Sequence, residues 1–177
     1  MLMGVVIYEL LVMALVFLGV GRIRGWSLAT FGLEISWKWT GMGLVFFVVA
    51  VLIWWIVFML GQIIHATAMP SGLIAGQITL PVIIINSIIN GIFEELMEVG
   101  YVIRSVQRYG MWPAVFVSGL IRALLHVHLG ALVMVYVMVL GVIYGLFYWR
   151  WRQLWPLIAA HSLMDFFGLL SLARHAA

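Results

Sequence analysis

Glu94 and Glu95 stand side by side within the apolar stretch Leu80 to Ile103, in a chain with only six acidic residues. An acid at the centre of a membrane helix costs about 2.5 to 3.5 kcal/mol, so such groups face protein or a wet cavity and mark a site. Other ionisable residues recur at helical spacing. Asn86, Asn90, Glu94 and Glu98 lie four apart on one stripe, Arg122 and His126 share a second face, and His161 and Asp165 share a third. Glu95 is expected to point about a quarter turn away from the Glu94 stripe. Counted from the cytoplasmic ends of their segments, Glu94 lies about 15 Å deep, His126 about 20 Å, His161 about 10 Å and Asp165 about 16 Å. That layer suits water activation. A buried carboxylate such as Glu94 serves as general base, and His126 holds the water. His161 and Asp165 donate to a developing oxyanion, which for Asp165 requires the protonated acid.

The elements that must position these groups are membrane helices. The chain is 66% hydrophobic and 8% charged, with mean hydropathy +1.21, far from the composition of a soluble globule. Apolar runs mark six spans: Met3 to Val20, Gly41 to Ile64, Thr79 to Ile103, Trp112 to Leu129, Ala131 to Trp149 and Leu154 to Leu172. The expectation is an all-α polytopic bundle of about six transmembrane helices, one domain over 1–177 with its catalytic core at about 79–172. Arg22, Arg24, Lys38, Arg104, Arg108, Arg150 and Arg152 all fall in alternate loops. The positive-inside rule makes that side cytoplasmic and places both termini outside, in a plasma (inner) membrane. The net charge of +3 therefore reports topology, and the expected partners are the lipid bilayer and a membrane-associated peptide or protein, not nucleic acid. The first segment has no basic leader region and carries Glu9, so it reads as a retained span. Without Cys, thiolate and disulfide chemistry is excluded.

Three motifs carry a family resemblance. The run Phe93-Glu94-Glu95-Leu96-Met97-Glu98-Val99-Gly100-Tyr101 resembles the first motif of the CPBP family of intramembrane glutamic proteases, which includes CAAX prenyl endopeptidases and bacteriocin-processing relatives. Ser118 to His126 resembles the second motif, and Leu154 to Asp165, ending His161-Ser162-Leu163-Met164-Asp165, the third. The resemblance covers about Ile84 to Phe167. It implies that Glu94 activates water, Glu95 is its structural or electrostatic neighbour, His126 is the second water ligand, and His161 with Asp165 forms the oxyanion side, with no cofactor. The implied substrate is a membrane-anchored, lipid-modified or terminal sorting segment. Two positions depart from the pattern. Val99 stands where the family commonly has Arg, and Arg122 where it often has Phe. Arg122 is the candidate replacement cation, for Glu95 or Glu98.

Plainer roles compete at several positions. Asn86, Asn90 and Glu98 are candidates to line a substrate cavity, but Glu98 can instead pair with Arg104 or snorkel, Asn86 and Asn90 can join helices, and His128, His65 and His175 read as interface, loop and tail residues. Glu9 reads as a bundle-facing hydrogen-bond partner without a catalytic role. A single aspartate, no Gly-x-Ser-Gly and no His-Glu-x-x-His exclude aspartyl, rhomboid-like and site-2-type mechanisms. Residue types alone leave open a metal held by Glu94, Glu95, His126 and His161, although no helix carries Glu-x-x-His. A catalytically impaired scaffold or immunity factor and a proton-coupled transporter are the non-protease alternatives.

Overall fold

The computed structural model describes residues 2–63 and 79–176. The turn-rich connection expected from His65 to Ile78 lies outside them. The described chain is all-α: α1 (Leu2–Val16, continuing as a π-helical turn, Phe17–Gly21), α2 (Trp37–Ile63), α3 (Leu80–Glu94), a π-helical segment (Glu95–Tyr101), α4 (Val102–Val106), α5 (Met111–Leu125), α6 (Ala131–Trp151) and α7 (Trp155–Ala176). Five helical stretches are long and apolar enough to cross a membrane: Leu2–Gly21, Trp37–Ile63, Leu80–Tyr109, Ala131–Trp151 and Trp155–Arg174. The fourth expected span is shorter than its apolar run suggested, because α5 stops at Leu125. His126 follows at φ −97°, ψ 8°, and a 3-10 turn occupies Val127–Leu129.

Backbone chemistry explains where helices start and stop. Pro81 sits in the first turn of α3, where its missing N–H is harmless. Gly110 and Gly130 take φ of +101° and +95° just before α5 and α6, a conformation that favours glycine. At helix ends, Arg24 stacks on Trp26, Lys38 on Trp39, Arg108 on Tyr109 and Arg150 on Trp151. Such basic–aromatic pairs suit the membrane–water boundary. Outward faces are apolar, as at Leu11, Leu15, Leu18, Leu52, Ile56 and Leu60, which is what lipid as solvent requires.

The chain forms two compact units. The first is drawn from residues 2–47, 79–97 and 153–176. Within it α3 packs on α7 and α1 packs on α3. The loop after α1 folds Phe31 out of solvent against Phe17 and Trp26, and Gly32 offers its carbonyl to the backbone N–H of Leu154 at 2.8 Å. Trp155 Nε1 donates to Thr40 at 3.0 Å. The start of α7 is thereby held from two sides.

The second unit comprises residues 48–63 and 98–152. Here α5 and α6 approach through small residues, as membrane helices do when packing must replace a hydrophobic driving force. A Cβ on Gly141 would stand 2.8 Å from the Gly119 Cα, and one on Gly145 3.1 Å from Val115. Trp54 of α2 meets Tyr136 of α6 edge-to-face at 5.2 Å.

Gly91 does the same for α3 and α7. A Cβ there would collide with Ser162 Oγ and lie 3.0 Å from the Ser162 backbone nitrogen and 3.3 Å from the Ile158 carbonyl. Gly168 of α7 has nothing within 4 Å of such a Cβ, and both substitutions gain the same helix propensity. Gly91→Ala is expected to destabilise the protein by about 1–3 kcal/mol relative to Gly168→Ala through overpacking. Thermal unfolding in detergent measures this, and equal melting temperatures would refute the close-approach role.

Candidate functional site

The first unit gathers most of the expected ionisable residues around one imidazole. His161 Nδ1 lies 2.7 Å from Glu95 Oε1. A proton on Nδ1 donates to that carboxylate, so the ring is oriented by a group that is itself fully buried. The opposite nitrogen, Nε2, lies 3.6 Å from Glu94 Oε2 and 3.6 Å from Asp165 Oδ1. Asp165 is held in turn, with its Oδ2 accepting from Asn90 Nδ2 at 2.7 Å. His161 and Asp165 are one turn apart on α7, as are Asn90 and Glu94 on α3. Two one-turn repeats on packed helices thus interlock, Asn90 with Asp165 and Glu94 with His161.

Glu95 corrects an expectation. Its side chain was expected to face away from that of Glu94, whereas both carboxylates reach the same ring, one at each nitrogen. Adjacent helical residues can do so when the facing side chain sits between their two directions. Helical spacing also ceases to follow the α period here, since the π-helical segment begins at Glu95. Asn86 is buried one turn before Asn90, and among the described residues no donor reaches its Oδ1.

The second unit holds the others. Arg122 Nε is 2.9 Å from Glu98 Oε2, both side chains being nearly inaccessible, and the guanidinium lies over the Tyr144 ring at 5.7 Å. Arg122 therefore pairs with Glu98, the second of its two expected partners. Arg104, an alternative partner for Glu98, donates its Nε to Tyr148 at 3.2 Å. Ser118 Oγ donates to the Glu98 carbonyl at 2.6 Å. A π-helical segment displaces carbonyls from their α-helical donors, and a side chain from a packed helix can take up one of them.

His126 closes α5. Its Nδ1 lies 2.9 Å from the Arg122 carbonyl, an oxygen that only accepts, so Nδ1 carries the proton and the Nε2 lone pair can take a hydrogen bond from water. A ring nitrogen of His126 lies within 4.8 Å of a Glu98 carboxylate oxygen. Its backbone dihedrals fall in the sparsely allowed bridge region, where active-site residues are often found. His128 is exposed, with Nδ1 3.0 Å from the Leu125 carbonyl.

A family model described as Type II CAAX prenyl endopeptidase Rce1-like matches residues 75–167, more than half of the chain. The chain belongs to that family. The match spans the three motifs from which the resemblance was drawn and every candidate residue from Asn86 to Asp165. No curated protein and no solved structure matches the chain. As a type II CAAX prenyl endopeptidase-like chain with several membrane-length helices, it is an integral membrane protein of a protease family.

Sequence reasoning had no rule that would find the Glu95–His161 and Ser118–Glu98 bonds. Each depends on an approach between helices, and the only signal near them was the adjacency of two carboxylates.

Because the Arg122–Glu98 pair is buried, removing one partner strands the other charge. Arg122→Met is expected to cost about 3–5 kcal/mol, and adding Glu98→Gln to it should recover most of that loss. Unfolding measured through a double-mutant cycle tests the pair. Strict additivity of the two substitutions would show that it carries no coupling.

Proposed function

We propose that this Rce1-like protein is an intramembrane glutamic endopeptidase that cuts a membrane-anchored, lipid-modified or terminal sorting peptide. The observation that carries this reading is the position of His161 Nε2, 3.6 Å from both Glu94 and Asp165 while Nδ1 is bonded to Glu95. Glu94 takes one proton from a water whose oxygen adds to the scissile carbonyl carbon. His126 Nε2 accepts a hydrogen bond from the other hydrogen of that water. Charge gathers on the carbonyl oxygen, and Nε2–H of His161 in its imidazolium form donates to it. Glu95 holds that ring through Nδ1. Asp165, bonded by Asn90 at Oδ2, can reach the oxyanion as a donor only with its proton on Oδ1. Collapse breaks the C–N bond, and the proton on Glu94 passes to the leaving amine.

In this reading residues 79–172 are the catalytic core of a single domain spanning 1–177, and the basic loops face the cytoplasm of a plasma (inner) membrane with both termini outside. The second reading, a member that binds a membrane peptide without cutting it, rests on the fully buried Val99 at the family's arginine position.

Purified protein in liposomes, given a fluorogenic prenylated CAAX peptide, separates the two. Glu94→Gln should lower kcat by about 10²- to 10⁴-fold while the peptide still binds, the range expected for a lost general base. A wild type that binds the peptide without cutting it would favour the scaffold. Activity is expected to survive chelation, and its loss with EDTA and return with zinc would favour the metal-dependent alternative. Glu95→Leu should lower kcat by about 10²-fold or more with KM little changed, since His161 loses its orientation.

A further inference from the structure

One buried acid has no part in the scheme above. Glu9, in the first membrane-length helix, is 3% exposed. Among the described residues no donor reaches its Oε2. α1 packs on α3, and the charged groups in whose field Glu9 lies are Glu94, Asp165 and His161.

Those neighbours cannot easily satisfy it. Glu94 and Asp165 present carboxylate oxygens, which accept when ionised. His161 spends Nδ1 on Glu95 and turns Nε2 between Glu94 and Asp165. Asn90 gives its Nδ2 to Asp165. A buried acceptor without a donor is costly, more so when charged. In a helix whose lipid-facing residues are Leu11 and Leu15, an acid is expensive unless something donates to it. Asn86 Oδ1 on the adjoining α3 is buried in the same condition. Two uncommitted acceptors on packed helices match a ligand rich in N–H groups, and a peptide backbone is one.

We propose that Glu9 is a substrate-positioning residue of the Glu94–His161–Asp165 centre, its open carboxylate oxygen taking a hydrogen bond from a backbone N–H of the bound peptide. The proposal rests on the endopeptidase reading and adds the first helix to the substrate site. No covalent step is assigned to Glu9. It fixes the register of the strand, and Glu94 and His161 act on the carbonyl so presented.

The test uses full-length protein in liposomes and the same prenylated CAAX peptide, with its backbone amides N-methylated one at a time. In the wild type, one N-methyl position should raise KM about tenfold, the loss of one hydrogen bond. Glu9→Met should raise KM for the parent peptide by a similar factor and show no further response at that position. Glu9→Gln, which keeps an acceptor oxygen, should stay within about threefold of wild type. A purely structural role for Glu9 would instead give penalties that add at every N-methyl position, and that result overturns the proposal. Binding of the labelled peptide to Glu94→Gln protein, with and without Glu9→Met, gives the same comparison without turnover. Cleavage by the wild type with an unaltered Glu9→Met variant therefore sinks only the Glu9 role. Absence of both cleavage and binding sinks the endopeptidase reading and this inference together. If Glu9→Met fails to fold, dicyclohexylcarbodiimide labelling of Glu9 in the wild type decides, read by mass spectrometry. Saturating peptide should suppress it, and unchanged labelling refutes the contact.

Discussion

The bond from His161 Nδ1 to Glu95 organises the first unit, because Glu95 is fully buried and a buried carboxylate must be met by a donor or left at heavy cost. Meeting it requires α3 and α7 to lie close. Gly91 permits that distance, since a Cβ there would collide with Ser162 Oγ and crowd the Ser162 backbone nitrogen. Once the helices are in contact, the same register brings Asn90 to Asp165 and Glu94 towards Nε2 of His161. The ties from Gly32 and Thr40 to the beginning of α7 hold the end of that helix nearer His161. One electrostatic demand thus accounts for a glycine and two interlocked pairs.

The second unit answers a related demand differently. Val99, fully buried, leaves the π-helical segment without the arginine that the family pattern places there. Arg122 of α5 pairs with Glu98 and rests on Tyr144. Ser118, one turn earlier on α5, takes up the Glu98 carbonyl. α5 can lie near enough to α6 for this arrangement because Gly119 and Gly141 face each other without side chains.

Much of this was legible in the residues. Hydropathy located the membrane-length helices, and spacing of four identified Asn90 with Glu94 and His161 with Asp165 before their helices were known to touch. The motif order pointed to the family that the match at residues 75–167 establishes. What escaped has common physical causes. Periodicity gives the angle between Glu94 and Glu95 but not the imidazole that sits between their two directions, so it misplaced Glu95. Hydropathy cannot see a helix that stops within an apolar run, so α5 was drawn too long. Glu9 reads from sequence as a bundle-facing hydrogen-bond partner, and its charged neighbours, Glu94, Asp165 and His161, come from other helices.

The shortness of α5 bears on the surrounding lipid. Fifteen residues rise about 22 Å, against a hydrocarbon core of about 30 Å. A hydrophobic mismatch of that size is relieved when the bilayer thins locally or headgroups and water dip towards the helix end. The end in question is His126, a proposed water ligand. Under the proposed function such a dip would bring solvent to His126 from the membrane surface. Bilayer thickness would then be a variable of the proposed reaction, with longer acyl chains working against access to this helix end and shorter ones favouring it.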